Sequence, residues 1–185
     1  MKAAIYSRAM DAEQQHDFQL FFDELAAQKI EPVIFYSLHE QIKSLLRLPG
    51  TTTTFSVADD LTENIDFIIS MGGDGTLLDT ITLVRDRSIP VMGINFGRLG
   101  FLASIGREDV KTAVTALTKR TFVIDNRTMI HLDASQPLFG KVPYSLNEFS
   151  IHKRDTAPMI KIHTYLNGEF LNTYWADGLI VATPT

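Results

Sequence analysis

The stretch IDFIISMGGDGTLLDT, residues 65–80, joins an apolar run to a cluster of glycines and then to an amphipathic segment. The run at 65–71 is apolar on both faces, which is typical of a buried parallel strand. The glycines indicate a tight loop, and the segment from Thr76 to Arg87 predicts a helix. A strand, a glycine loop and a helix in this order aim backbone N–H groups at one point, which favours an anion-binding site.

Strand-like and helix-like segments alternate through the first two thirds of the chain. Strands are predicted at 2–7, 31–37, 51–57, 65–71 and 89–95, and helices at 11–29, 39–48, 76–87 and 107–120. This alternation predicts an α/β fold with an open, mainly parallel sheet and helices on both faces. The run of β-branched residues at 51–57 is expected to form a short edge strand.

The pattern changes near Thr121, where period-two alternation replaces helical periodicity. Strand-like alternation occupies 121–135 and 158–183, and the Asn-Gly pair within 165–170 predicts a two-residue hairpin turn. We therefore expect an α/β domain at 1–122 that carries the glycine loop, and the beginning of a β-rich domain at 123–185. The chain stops directly after a strand, so we expect it to be truncated.

Composition narrows the class of protein. The 185 residues are 45% hydrophobic and 21% charged, as in a globular protein with a substantial core. A net charge of -5 argues against a nucleic-acid binder, and the lack of cysteine excludes disulfides and thiolate sites. No apolar run approaches the roughly 18 to 20 residues of a membrane span, so we expect a soluble cytoplasmic protein without a membrane partner.

Asp74 is the unusual member of the glycine loop. The loop matches neither the P-loop nor the G-x-G-x-x-G dinucleotide fingerprint. A carboxylate beside phosphate-binding amides needs a purpose, such as taking a proton from an attacking hydroxyl or holding Mg²⁺. From the loop alone, an ordinary turn in which Asp74 caps the helix is an equal alternative.

Two later segments bear on that choice. Asn147 and Glu148 stand side by side at the start of a strand-like run. Such a pair supplies acceptors for vicinal ribose hydroxyls together with an amide donor, although a polar strand end is the simpler interpretation of the pair alone. Asp177 precedes a glycine and an apolar strand, and by itself this pattern is most often a turn.

Four segments in order resemble the NAD kinase family, within the superfamily that includes diacylglycerol kinases and 6-phosphofructokinases. They are GGDGT at 72–76, GINFGRLGFLA at 93–103, NE at 147–148 and DGLIVATPT at 177–185. The first is shared across the superfamily, and the other three are more specific. The resemblance implies transfer of the γ-phosphoryl group of ATP, or of polyphosphate, to the 2′-hydroxyl of the adenosine ribose of NAD, giving NADP, with Mg²⁺ or another divalent cation.

The resemblance also implies roles for the glycine loop. Asp74 would be the general base that activates the ribose hydroxyl. Gly72, Gly73 and Gly75 would line the phosphates with backbone amides, and Thr76 would complete this nucleotide-binding segment.

The later motifs would form the NAD-binding part of the site. Asn147 and Glu148 would bind the adenosine end of NAD, with Glu148 on the ribose hydroxyls. Asp177 would lie near the nicotinamide ribose, commonly approached from a neighbouring subunit, and Thr185 would open a segment that contacts adenine. The implied partners are NAD, ATP and further copies of the chain in a dimer or tetramer.

One residue departs from the family pattern, and two other functions stay open. Many bacterial members have a basic or small residue at the position of Asp79, so we assign no phosphate-binding cation there and no metal ligand. If the protein ends at Thr185, we expect no kinase activity and poor solubility. The alternatives are a lipid kinase of the diacylglycerol-kinase type and a non-catalytic nucleotide-binding module.

Overall fold

The computed structural model describes residues 1–97, 100–136, 138–139 and 143–184. The chain separates into two compact units, Met1–Asp125 and Asn126–Thr185. In the part of the chain that the structure describes, every helix falls short of the length and apolar character that crossing a membrane requires.

The first unit is built on a six-stranded sheet. Its strands are β1 (Lys2–Tyr6), β2 (Glu31–Phe35), β3 (Thr53–Phe55), β4 (Phe67–Met71), β5 (Val91–Asn95) and β6 (Ile105–Gly106). Their order is β3-β2-β1-β4-β5-β6, and every pairing is parallel. The open parallel sheet is therefore confirmed, with β3 on its edge as the β-branched run at 51–57 predicts.

Helices cover both faces of this sheet, as the alternation of segments predicts. They are α1 (Gln15–Ala27), α2 (Tyr36–Ile42), α3 (Asp74–Val84) and α4 (Val110–Lys119). Side chains of β4 alternate between two cores, because successive strand residues point to opposite faces. Phe67 and Ile69 pack in the core that holds apolar residues of α1, α2 and α4, whereas Ile68 packs in the core that holds Val84 of α3.

Two helices begin earlier than their sequence pattern predicts. Helix α2 begins at Tyr36, inside the predicted second strand, because Leu38 and Ile42 lie one turn apart and are both fully buried. Helix α3 begins at Asp74, two residues before the predicted start, with Gly73 as its N-cap. Asp74 therefore lies in the first turn of a helix and not in the middle of a flexible loop.

The second unit contains three small antiparallel pairs. Its strands are β7 (Ile130–His131), β8 (Tyr144–Ser145), β9 (Glu148–His152), β10 (Ile160–Leu166), β11 (Glu169–Ala176) and β12 (Gly178–Ala182). The pairs are β7 with β8, β9 with β12, and β10 with β11. Asn167 and Gly168 join β10 to β11 with φ of 53° and 89°, as a type I′ hairpin turn requires.

Less strand forms between the end of α4 and the start of β7 than the sequence pattern predicts. Residues 121–129 have no regular structure, and Val123 is 95% exposed. The period-two alternation there has no neighbouring strand to pair with among the described residues. A period of two is therefore insufficient evidence for a strand where no partner is available.

The strand order of the first unit creates a switch point between β1 and β4. The chain builds β2 and β3 on one side of β1 and then crosses to place β4 on the other side. Connections leave the carboxyl ends of β1 and β4 in opposite directions, and such a point forms the crevice in which open α/β sheets bind ligands. The glycine loop follows β4 directly, so it lies at this crevice.

Candidate active site

Gly72 fixes the path of the chain out of β4. Its φ is +152°, and a Cβ atom on it would overlap the side chain of Thr76. Its N–H donates to the Ile94 carbonyl at 2.9 Å, which ties the loop to β5. This N–H is therefore engaged by the sheet, and Thr76 is buried beneath the loop.

The next residues present unpaired backbone donors. Thr76 and Leu77 donate their N–H groups to the Gly73 carbonyl at 3.0 and 3.2 Å. The N–H groups of Gly73, Asp74 and Gly75 have no acceptor among the described residues, as expected for the N-terminus of a helix. Three unpaired donors at the positive end of the α3 dipole favour a phosphate group at this place.

The Asp74 carboxylate is held by three backbone N–H groups of one turn. Phe101 donates to Oδ2 at 2.8 Å, and Leu102 and Ala103 donate to Oδ1, each at 2.9 Å. The donors lie 27 to 29 residues further along the chain. The pairing of β4 with β5 brings the two loops together, because both loops leave the carboxyl ends of neighbouring parallel strands.

These three hydrogen bonds determine how many acceptor positions the carboxylate keeps for a ligand. Each carboxylate oxygen offers two lone pairs, so Oδ1 is saturated and Oδ2 keeps one acceptor position within the described structure. The hydrogen bond from Ala103 is the main reason why the pKa of Asp74 lies below its usual value, with Phe101 and Leu102 adding to it against the opposing effect of burial. Asp74 is therefore an ionised, oriented acceptor with one open position.

Gly100 makes this contact possible. A Cβ atom on Gly100 would overlap the Asp74 carboxylate. Nearby Asn95 is buried at the end of β5, and its Oδ1 accepts the Gly97 N–H at 2.8 Å, which shapes the start of the same turn. The glycine of the GFLA segment is thus a steric requirement of the Asp74 site.

In the second unit, Asn147 and Glu148 lie together at one end of the β9–β12 ribbon. Thr183, just after β12, donates its N–H to the Asn147 carbonyl at 2.8 Å. Both Asn147 and Glu148 are exposed, and no described residue bonds the side chain of Asn147. Among the described residues, the Glu148 carboxylate has a single long contact, from Ser150 Oγ at 3.4 Å. Both side chains are therefore open to a ligand.

Asp177 lies at the opposite end of the same ribbon. Gly178, the next residue, pairs with His152, whereas Ala182 pairs with Glu148. Four residue steps along β9 separate the two ends by about 14 Å. The Asp177 carboxylate is 73% exposed and pairs with Lys153 Nζ at 2.8 Å. The structure therefore brings Asn147 and Glu148 together but not Asp177 with them.

The described residues do not form a protein-built site for a divalent cation. They contain no group of three histidine, aspartate or glutamate side chains placed to hold a metal. Both oxygens of Asp74 are engaged by amides, and Asp79 pairs with Arg8. A cation at this loop would need most of its ligands from elsewhere.

The glycine loop and the turn that holds Asp74 both fall within a known family model. The model of the ATP-NAD kinase N-terminal domain matches residues 7–122, which include both segments. The chain belongs to the NAD kinase family. The resemblance inferred from the four sequence motifs is confirmed.

Curated relatives extend the match beyond the first unit. The NAD kinase of Cytophaga hutchinsonii is 49% identical over 138 residues, which are 75% of this chain and 47% of that protein. The NAD kinase of Bacteroides fragilis is 36% identical over 185 residues, which are 100% of this chain and 63% of that protein. The chain thus spans about half to two thirds of the length of these members of the NAD kinase family.

Solved structures of an NADH kinase and of an NAD kinase share the fold. A yeast NADH kinase complexed with NADH superposes with a TM-score of 0.83 at 20% identity, over 99% of this chain and 57% of that chain. An NAD kinase from Archaeoglobus fulgidus in complex with ATP gives 0.65 at 23% identity, over 98% of this chain and 60% of that chain. The arrangement of a parallel sheet followed by antiparallel strands is therefore that of an NAD kinase.

The sequence indicates Asp74, Asn147 and Glu148 as candidates, and the structure adds contacts that the sequence does not indicate. Thr185, expected to begin the adenine-contacting segment, lies outside the described residues. The amides that hold Asp74 were missed, although the quoted GFLA segment contains them. The ion pair of Arg8 with Asp79 was not predicted either, because a single arginine after a strand carries no signal of its own.

Proposed function

We propose that this protein is an NAD kinase that transfers the γ-phosphoryl group of ATP to the 2′-hydroxyl of the adenosine ribose of NAD, giving NADP. One observation carries the proposal. The Asp74 carboxylate lies beside three unpaired N–H groups at the switch point of the sheet, and it keeps one acceptor position on Oδ2 within the described structure. A hydroxyl acceptor and a phosphoryl group are the two ligands that this combination suits.

Asp74 would orient the hydroxyl and receive its proton. The 2′-oxygen forms a bond to the γ-phosphorus while the bond from that phosphorus to the bridging oxygen of ADP breaks, and ADP departs with the electron pair. The proton passes to Asp74 Oδ2 and then to water. Because its N–H partners keep the pKa of Asp74 low, it is a weak base, which suits a loose transition state in which the proton moves late.

The loop amides would bind the transferring phosphate. The N–H groups of Gly73, Asp74 and Gly75 would be the donors. The Gly72 N–H, which was also predicted to be a donor, is bonded to β5 instead. Gly72 and Thr76 contribute by shaping the loop. Because the described residues hold no metal cage, we propose that Mg²⁺ or another divalent cation arrives on the phosphates of ATP, as Mg²⁺ commonly does.

The second unit would bind NAD. Asn147 and Glu148 offer exposed side chains for the adenosine ribose, with Glu148 as the acceptor for its hydroxyls. We propose that Asp177 contacts the nicotinamide ribose of an NAD bound by a neighbouring subunit, which agrees with its place at the other end of the β9–β12 ribbon. Thr185 would open the adenine-contacting segment.

We further propose a cytoplasmic homo-oligomer, a dimer or tetramer. Large apolar side chains stand exposed on the β10–β11 hairpin, among them Leu166, Phe170 and Trp175. Exposed apolar patches of this kind favour a protein interface. Light scattering of the purified protein gives the mass of the assembly, and a monomeric mass would contradict this part of the proposal.

The activity itself is tested by product formation. The full-length protein is purified and incubated with ATP, a magnesium salt and either NAD or diacylglycerol, and the phosphorylated products are separated. We expect NADP and ADP in equal amounts and no phosphorylated lipid. Phosphorylated lipid would favour the diacylglycerol-kinase alternative. Binding of NAD and ATP in calorimetry without any product would favour a non-catalytic module.

A further inference from the structure

Arg8, two residues beyond β1, reaches across to the first turns of α3. Its Nε donates to Asp79 Oδ2 at 2.5 Å, and its Nη2 donates to Asp79 Oδ1 at 3.0 Å. The same Nη2 lies 3.1 Å from the Gly75 carbonyl oxygen. One guanidinium therefore bridges the helix body at Asp79 and the glycine loop at Gly75.

The Arg8 guanidinium also lies close to the position that a Cβ atom on Gly75 would occupy. A Cβ atom on Gly75 would lie 3.3 Å from Arg8 Nη1 and 3.6 Å from Cζ. The guanidinium thus lies over the open face of this glycine. Tyr6, the last residue of β1, also donates to Asp79 Oδ2, at 3.3 Å. The carboxyl end of β1 is therefore fastened to α3 at two points.

These hydrogen bonds between the end of β1 and α3 lie at the switch point of the sheet. Strands β1 and β4 are hydrogen-bonded neighbours. Arg8 follows β1, and the glycine loop follows β4. Through its hydrogen bonds to α3, Arg8 links the segment after β1 to the segment after β4, and these two segments border the crevice. The first turn of that helix carries both the Asp74 carboxylate and the unpaired N–H groups, so a shift of the turn would displace both.

The charges explain why Asp79 is tolerated beside a phosphate-binding loop. A lone carboxylate about one and a half turns into α3 would repel a phosphate bound at the helix N-terminus. The Arg8 hydrogen bond is the main cause of a lowered pKa of Asp79, so the two side chains are held as an ion pair. The chain therefore carries an acidic residue at position 79 and supplies the neighbouring cation from the residue that follows β1 by two positions.

We propose that Arg8 is a positioning residue for phosphoryl transfer, whose bridge from Asp79 to the Gly75 carbonyl holds the first turn of α3 in its reactive placement. This inference rests on the proposed NAD kinase activity. Three of the five guanidinium N–H groups are committed to the bridge, counting Nη2 twice. An exposed ion pair adds little to global stability, whereas a misplaced catalytic group strongly lowers turnover.

Steady-state kinetics of Arg8→Ala test the proposal against Arg47→Ala. Arg47 is a matched control, because it also makes an exposed ion pair, with Asp23 at 3.5 Å, but has no described contact with the loop or α3. We expect kcat of R8A to fall by about 10- to 100-fold with little change in KM for NAD or ATP. The melting temperature should fall by no more than about 4 °C in either variant.

Two further variants separate positioning from charge. Arg8→Lys keeps the charge but cannot hold both oxygens of Asp79 and the Gly75 carbonyl in one plane, so we expect kcat nearly as low as in R8A. Asp79→Ala combined with R8A should lower kcat no further than either single change. A kcat for R8A within about twofold of R47A would overturn the proposal. A raised KM for ATP at unchanged kcat would also overturn it and make Arg8 a phosphate ligand.

Hydrogen exchange provides a readout that does not depend on activity. The amides of Thr76 and Leu77 should exchange faster in R8A than in the wild type and be unaffected in R47A, because both depend on the first turn of α3. Unchanged exchange would contradict the bridge. If the wild type makes no NADP, the proposed function fails, while the exchange experiment still decides whether Arg8 holds the loop.

Discussion

At the level of single residues, the proposed chemistry depends on how the Asp74 carboxylate is bonded. A carboxylate in a glycine loop suggests a flexible turn residue, yet its oxygens accept three N–H groups at 2.8 to 2.9 Å. Charge-assisted hydrogen bonds of this kind both orient the group and favour its ionised form. Within the described structure only Oδ2 keeps an open acceptor position, so we predict that this oxygen is the base.

The lowered pKa of Asp74 predicts a pH dependence of stability. A group whose pKa is lower in the folded state stabilises the fold above its unfolded pKa, and this contribution disappears as pH falls through the folded pKa. We expect the difference in unfolding free energy between wild type and Asp74→Asn to be constant from about pH 7 to 5 and to shrink below about pH 4. Urea unfolding at several pH values measures it, and a difference that grows in acid would contradict the bonding of Asp74.

At the element scale, the unit of function is a strand, a loop and a helix joined to the turn after the next strand. The sequence predicts the strand, the loop and the sheet, because apolar runs and glycines report local geometry directly. It does not predict that Asp74 contacts Phe101 and its neighbours, because that contact arises from the parallel pairing of β4 with β5. The Arg8–Asp79 pair, 71 residues apart in sequence, escapes prediction for the same reason.

Gly100→Ala tests the contact between Asp74 and the turn that follows β5. The added methyl group would overlap the Asp74 carboxylate, so the turn must move away and its hydrogen bonds must weaken. We expect a loss of about 1–3 kcal/mol in unfolding free energy together with reduced turnover. Gly50→Ala is the control, since a methyl group there would meet no described atom within 4 Å. Equal unfolding free energies for the two variants would mean that Gly100 has no steric role.

At the scale of the whole molecule, each of the two units carries motifs that resemble the NAD kinase family. The motifs at 72–76 and 147–148 are separated in sequence, and only their resemblance to one family relates both of them to the proposed activity. The same motifs could not reveal that Asn147 and Glu148 lie at one ribbon end and Asp177 at the other, because this follows from the antiparallel register of β9 and β12.

Glu148→Gln tests the NAD-binding role of the second unit. Loss of a charged acceptor for ribose hydroxyls should raise KM for NAD by about 10- to 100-fold, with a smaller effect on KM for ATP. Glu169→Gln is the control, because Glu169 is an exposed glutamate at the start of β11. If the two variants have the same KM for NAD, Glu148 does not bind the ribose.

Turnover of Asp74→Asn beside Asp60→Asn tests the proposed role of Asp74, which is to receive the proton of a ribose hydroxyl during NADP synthesis. Asp60 also accepts two backbone N–H groups, from Ser56 at 2.7 Å and Val57 at 3.0 Å, so its variant reproduces the change of a carboxylate to an amide away from the loop. We predict NADP formation by the wild type and by D60N, and turnover lower by about 10²–10⁴ in D74N. NADP formation by D74N at the wild-type rate would contradict this role of Asp74.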